Sequence, residues 1–206
     1  MAAAAQGDRD AAIAAIEHAR RHVERWRHPF SEAWVAIGAA VAYHAIGDYD
    51  AMLDAAEQAT VQGIAEGFPN WLAQGNVHAG WARAMRGEAG ALERARAGIE
   101  MWEMGGAVIM RPALLGELAD ATGYAGALDR AVEVLDSAFE WIERSDDRWA
   151  EPELHRVRAV LALRRGDVAA AREAIDAGLA CARSMGAGGL AARLNDTLAT
   201  IPGMTV

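Results

Sequence analysis

Apolar and small residues recur at three- and four-residue spacing along most of the chain, interrupted by short polar stops. No stretch alternates with period two, so the pattern predicts helices and no sheet. The stops share a signature. Gly7-Asp8, Gly47-Asp48, Gly87-Glu88 and Gly166-Asp167 each set a glycine and an acid before an alanine-rich segment, and Gly123-Tyr124 is a weaker copy. The intervals are 40, 40, 36 and 43 residues. Each glycine is expected to close one helix in the left-handed conformation. The acid then caps the next helix or suits its positive end. Pro29 with Ser31, Pro69, Pro112 and Pro152 mark other helix starts, where a missing N–H is tolerated. The predicted helices are 9–26, 31–46, 49–66, 70–86, 88–104, 110–122, 125–143, 151–165, 168–184 and 188–200.

Composition narrows the chemistry. Alanine dominates and 53% of the 206 residues are hydrophobic, against 24% charged, an ordinary balance for a globular protein. Every basic residue is arginine. That excludes a phosphate-binding P-loop lysine, a lysine Schiff base and a lysine general base. A net charge of −9 opposes a phosphate backbone, so no nucleic-acid partner is expected. The single Cys181 permits no internal disulfide, which fits a reducing cytosol. "MAAAAQGDRD" lacks the apolar core of a signal peptide, and no apolar run reaches the length of a membrane span. The expected location is cytoplasmic, with no membrane partner.

Gly38 sits inside a predicted helix, where glycine costs about 1 kcal/mol relative to alanine. A helix–helix contact at Gly38 would account for it, and Gly38→Leu is then expected to destabilise by more than about 2 kcal/mol. Trp34, Ile37, Gly38 and Val41 read W-x2-I-G-x2-V, and Trp71, Gln74, Gly75 and His78 read W-x2-Q-G-x2-H. The first resembles the tetratricopeptide signature W-x2-L-G-x2-Y; the second keeps its Trp and Gly.

Residues 70–200 resemble something more particular. The carriers are Trp71, Gly75, Gly80-Trp81, Gly87, Gly98, Trp102, Gly105, Arg111-Pro112, Glu153-Leu154-His155-Arg156, Gly166-Asp167 and the closing "LAARL", with "PELHRVRAVLAL" the most specific stretch. These are similar to the tetratricopeptide-like C-terminal region of large bacterial multidomain regulators. Such regulators carry a STAND-type ATPase, often behind a class III adenylate cyclase or beside a LuxR-type DNA-binding domain. The cyclase and ATPase machinery of that family lies outside this region. The resemblance therefore implies a sensor or scaffold arm, and a chain that is a fragment or a stand-alone relative. Helix 9–26 reads as the second helix of a hairpin whose first is missing. Its open face predicts a homodimer through the N-terminal helices.

Candidate chemistry is sparse. His18 and His22 have the spacing of a metal clip, but no third ligand is evident, so no metal is expected. His155 beside Glu151 or Glu153 is the one candidate general base, and the resemblance assigns that stretch to packing instead. Cys181 reads as a small buried hydrophobe. Most of the seven tryptophans, Trp26, Trp34, Trp71, Trp81, Trp102, Trp141 and Trp149, are expected between helices, with one or two lining a groove. In tetratricopeptide arrays the first helix of each hairpin lines the concave face. That register selects Glu32, Val35, Ala39 and Tyr43, then Leu72, Asn76 and Ala79, then Glu117, His155 and Arg158. The candidate partner-binding residues are Tyr43, Asn76, Glu117, His155 and Arg158.

The sequence is thus read as an all-α, tetratricopeptide-like solenoid of antiparallel hairpins with repeats near 40 residues, one domain over 1–206. The expected function is non-catalytic: a scaffold or regulatory arm of a signalling system that binds a protein or peptide in its concave groove, without cofactors. The alternative is a small-molecule sensor with an apolar, Trp-lined pocket coupled to a signalling domain.

Overall fold

The computed structural model describes residues 2–201, which are helical with no strand among them. Two compact units divide the chain, Met1–Val108 and Ile109–Val206. The first holds α1 (Ala2–Gln6), α2 (Arg9–Trp26), α3 (Pro29–Ala45), α4 (Tyr49–Glu66), α5 (Pro69–Ala84) and α6 (Ala91–Met104). The second holds α7 (Arg111–Tyr124), α8 (Leu128–Ser145), α9 (Glu151–Arg164), α10 (Val168–Ser184) and α11 (Gly188–Ala199). The five-residue α1 lies outside the predicted elements and packs on both α2 and α3.

The Gly-acid stops act largely as expected. Gly7, Gly47, Gly87 and Gly166 all adopt positive φ, between 72° and 85°. Asp8, Asp48 and Asp167 then cap α2, α4 and α10 by accepting the N–H of Ala11, Ala51 and Ala170. Two stops differ. Glu88 caps nothing; its carboxylate takes the Arg83 guanidinium at 2.7 Å, and α6 begins only after Gly90. Gly123 lies in the last turn of α7, and the turn falls at Gly126 with φ 88°. The short side at Gly123 serves packing instead, since a Cβ there would strike Leu161 of α9.

Within each unit, sequential helices pack as antiparallel neighbours, and α3 also meets α5, as α7 meets α9 and α9 meets α11. The outer helix α8 shows the usual one-sided pattern, burying Ala131, Val134, Leu135, Ala138 and Ile142. The inner α5 is different: most of its length is buried, because α4 and α6 approach it from separate sides.

That approach depends on glycine, though not on Gly38. A Cβ built on Gly38 would meet nothing within 4 Å, so the expected helix contact there is wrong. The close contacts occur elsewhere in the first unit. A Cβ on Gly75 of α5 would lie 2.5 Å from Thr60 Oγ1 and 2.9 Å from Ala56 O on α4. One on Gly80 would lie 2.6 Å from Ala95 N on α6, and one on Gly98 of α6 would lie 2.7 Å from Ala73 O on α5. Gly63 of α4 returns the contact against the Leu72 backbone at 2.7 Å. Both interfaces of α5 are therefore backbone-to-backbone, with a glycine contributed from each side.

Candidate functional site: a charged cleft on the first unit

Helix α2 joins the first unit by its N-terminal half. Only Ala12 and Ile16 of α2 are buried. Arg9 fastens this end, giving a 2.6 Å ion pair to Asp48 and donating to the Ile46 carbonyl at the α3–α4 turn. From Arg20 onward no residue of α2 is fully buried, and the helix stops at Arg27 in a left-handed conformation, φ 46°. The space left beside this second half is a cleft of about 730 Å³. Arg20, Val23, Glu24 and Arg27 of α2 line one wall; Glu32, Val35 and Ala36 of α3 and Asp54 and Gln58 of α4 line the rest.

Five of these nine residues carry charge, so the cleft is unlike the mostly apolar enclosure of a small-molecule site. Arg20, Glu24, Arg27 and Asp54 form no ion pair among the described residues. Arg20 holds its guanidinium 5.8 Å from the centre of the Tyr43 ring, and its Nε is enclosed with no acceptor. Glu32 accepts from the Gln62 amide at 3.2 Å. Val23, Val35 and Ala36 supply the apolar part of the lining.

The five candidate residues are placed as follows. In the first unit Tyr43 is buried under Arg20. Asn76 is half-buried and accepts from Arg94 Nε at 3.0 Å. Arg94 in turn grips both oxygens of Glu57 at 2.6 and 2.8 Å, and Arg83 adds a third contact at 3.0 Å. The Arg94 hydrogen bond, opposed by burial, holds the Glu57 carboxyl below its ordinary value. Asn76 thus belongs to a clamp across α4, α5 and α6.

In the second unit Glu117 is buried on α7. His155 and Arg158 of α9 both meet Phe139 of α8, the His155 ring at 5.0 Å and the Arg158 guanidinium at 4.1 Å from its ring centre. Arg158 also pairs with Asp136 at 2.6 Å. Burial pushes His155 below its ordinary pKa, Glu151 opposes that, and its Nδ1 has no partner. The carboxylates considered for it are engaged elsewhere. Glu153 takes Arg156 and Arg193 at 2.7 and 2.9 Å, and Glu151 takes the Cys181 thiol at 3.6 Å. Burial first, then Glu151, push the Cys181 thiol up to about 11. Among the described residues no group of three His, Cys, Asp or Glu side chains is arranged to hold a metal.

The tryptophans divide differently from the expectation that most lie in the core. Trp71, Trp81 and Trp102 are buried, while Trp26 at 73% and Trp34 at 61% are widely exposed, and Trp149 is also exposed. Trp34 meets Trp71 edge-to-face at 5.2 Å. None of the seven lines the charged cleft.

The concave-face register named two residues of that cleft, Glu32 and Val35, and missed Arg20, Val23, Glu24, Arg27, Ala36, Asp54 and Gln58. The available signal was the arginine-rich run "EHARRHVERWRH" in a chain of net charge −9.

No protein-family model matches the chain, and no solved structure matches it. An uncharacterized protein of Rhizobium meliloti (strain 1021) is 34% identical over 110 residues, which is 53% of this chain and 10% of that protein. The chain therefore spans about a tenth of the length of the curated relative it matches.

Proposed function

We propose that the chain is a non-catalytic recognition arm, a tetratricopeptide-like stack of hairpins that binds a segment of another protein, in the cytoplasm, as part of a larger signalling regulator. The observation that carries the reading is the charged cleft beside α2. It is built from three helices and lined by five ionic side chains, of which Arg20, Glu24, Arg27 and Asp54 form no ion pair among the described residues. Unpaired charges at a surface cleft suit protein recognition, where complementary charge supplies specificity and speeds association. Packing of alternate helices on one another, and the Gly-acid turns near 40-residue intervals, support the repeat character. A match that occupies a tenth of a much longer relative supports a part within a larger protein.

The test is selection of random peptides displayed on phage against the full chain, with counter-selection on a Val35→Trp variant. Val35 is half-buried in the cleft wall, so tryptophan fills the space without opening the core. The expected result is a set of sequences that bind the parent chain and lose binding to the variant, both proteins having the same helical circular dichroism. No enrichment, or enriched peptides that bind both chains equally, would overturn the reading.

A further inference from the structure

We infer that the occupant of this cleft is a helix with an apolar stripe flanked by carboxylates on one side and by lysine or arginine on the other. The inference rests on the cleft being the recognition surface.

The backbone dictates the helical form. The cleft walls come from α2, α3 and α4, whose amides and carbonyls are paired within their own helices except in the terminal turns. An extended peptide brings an unpaired donor and acceptor at each residue. The cleft offers no sheet edge to meet them along its length. A helix arrives with its backbone already paired, and presents side chains alone.

The charges dictate the flanks. Arg20 and Arg27 stand on the α2 wall, four residues before and three after Glu24, and Glu32 and Asp54 stand on the α3–α4 wall. Two arginines against three carboxylates suit neither a purely acidic nor a purely basic partner. The enclosed Arg20 Nε lacks an acceptor, and a buried donor without one is costly until a partner supplies it. A carboxylate on the incoming helix meets Arg20 and Arg27 on one side; a cationic side chain meets Glu32 and Asp54 on the other. The apolar stripe between them falls on Val23, Val35 and Ala36.

The test uses three synthetic helices of about 16 residues, long enough to be partly helical alone. All share one leucine stripe. The first carries Glu along one flank and Lys along the other; the second carries Glu on both; the third carries Lys on both. Fluorescence anisotropy of each labelled peptide is read against the full chain at low and high salt. The expected result is binding of the mixed peptide at least tenfold tighter than either single-sign peptide. That advantage falls on Arg20→Gln and on Asp54→Asn, and weakens with salt. Arg27→Gln, at an exposed residue, gives the same answer should Arg20→Gln lose helical circular dichroism. Equal or tighter binding of a single-sign peptide, or an advantage untouched by the variants, overturns the inference. So does failure of all three helices to bind. If the phage selection still returns sequences blocked by Val35→Trp, the recognition reading stands and only the charge pattern falls.

Discussion

Gly80→Ala and Gly38→Ala make a matched pair, because each adds one methyl group to the interior of a helix of similar length. Both gain the roughly 1 kcal/mol by which alanine surpasses glycine in a helix. Their surroundings are opposite. At Gly38 the methyl meets nothing within 4 Å. At Gly80 it would lie 2.6 Å from Ala95 N and 2.9 Å from Ala91 O. Both neighbours are backbone atoms of α6 and cannot rotate aside. Ordinary contact needs about 3.5 Å, so α5 and α6 must separate by nearly 1 Å. That separation also loosens the reciprocal contact at Gly98, where the spacing to Ala73 O is equally tight. Overpacking of this kind costs about 1–3 kcal/mol. Helix propensity cancels between the two variants, so the difference in their stability is the overpacking alone. Gly38→Ala is expected to equal or exceed the parent, with Gly80→Ala about 1–3 kcal/mol below Gly38→Ala. Urea denaturation followed at 222 nm measures both. A Gly80→Ala chain as stable as Gly38→Ala would refute the account of how α5 is held.

Three further outcomes follow from the ion pairs and the thiol. Glu57 is held below its ordinary value of 4.5, so its stabilising contribution is complete above that pH and is lost as pH falls through the lower folded value. Thermal melts should therefore show the deficit of Glu57→Gln against the parent shrinking below pH 4.5, and a deficit unchanged with pH would reject this. Arg156 is largely buried between Asp120 at 3.3 Å and Glu153 at 2.7 Å, and Arg156→Ala should cost about 3 kcal/mol in urea by removing the guanidinium that these two carboxylates share; a loss near zero would refute that weight. Cys181, with its thiol pushed up to about 11, should react with iodoacetamide at pH 8 roughly 10–100-fold more slowly than a free thiol, and faster in Glu151→Gln; parity with a free thiol would contradict its placement.

The helices were legible because their ends are written locally. Gly47-Asp48 and Gly166-Asp167 need nothing beyond a left-handed glycine and a capping carboxylate three residues before the N–H it accepts. Contacts between helices are another matter. Gly38 and Gly75 stand at the same distance from their tryptophans, yet Gly75 touches α4 and Gly38 touches nothing. Spacing along a helix gives only relative angles around it, about 100° per residue. Which angle meets a neighbour is decided by the packed neighbours. Trp34 and Trp71 record the same lesson, one exposed and the other buried at equivalent motif positions. Gly123 shows it from the opposite side: the same residue type that predicted a turn is used to admit Leu161.

The cleft was illegible for a related reason, since its lining is drawn from three different helices. The arginines of α2 can be seen as a basic run, but only folding sets Arg20 and Arg27 opposite Glu32 and Asp54. The same unit contains both extremes of packing. Helix α5 is locked by glycines on two sides, whereas α2 is held by Ala12, Ile16 and the Arg9 tether at one end. Helices with few buried contacts occupy the low-stability end of a structure, where binding elements are drawn from. Close glycine packing of α4, α5 and α6 thus stands in the same unit as an α2 that leaves a charged wall uncovered. The ionic groups that would be a liability in the glycine-packed interface line an open cleft here, with Glu24, Arg27 and Asp54 exposed to solvent.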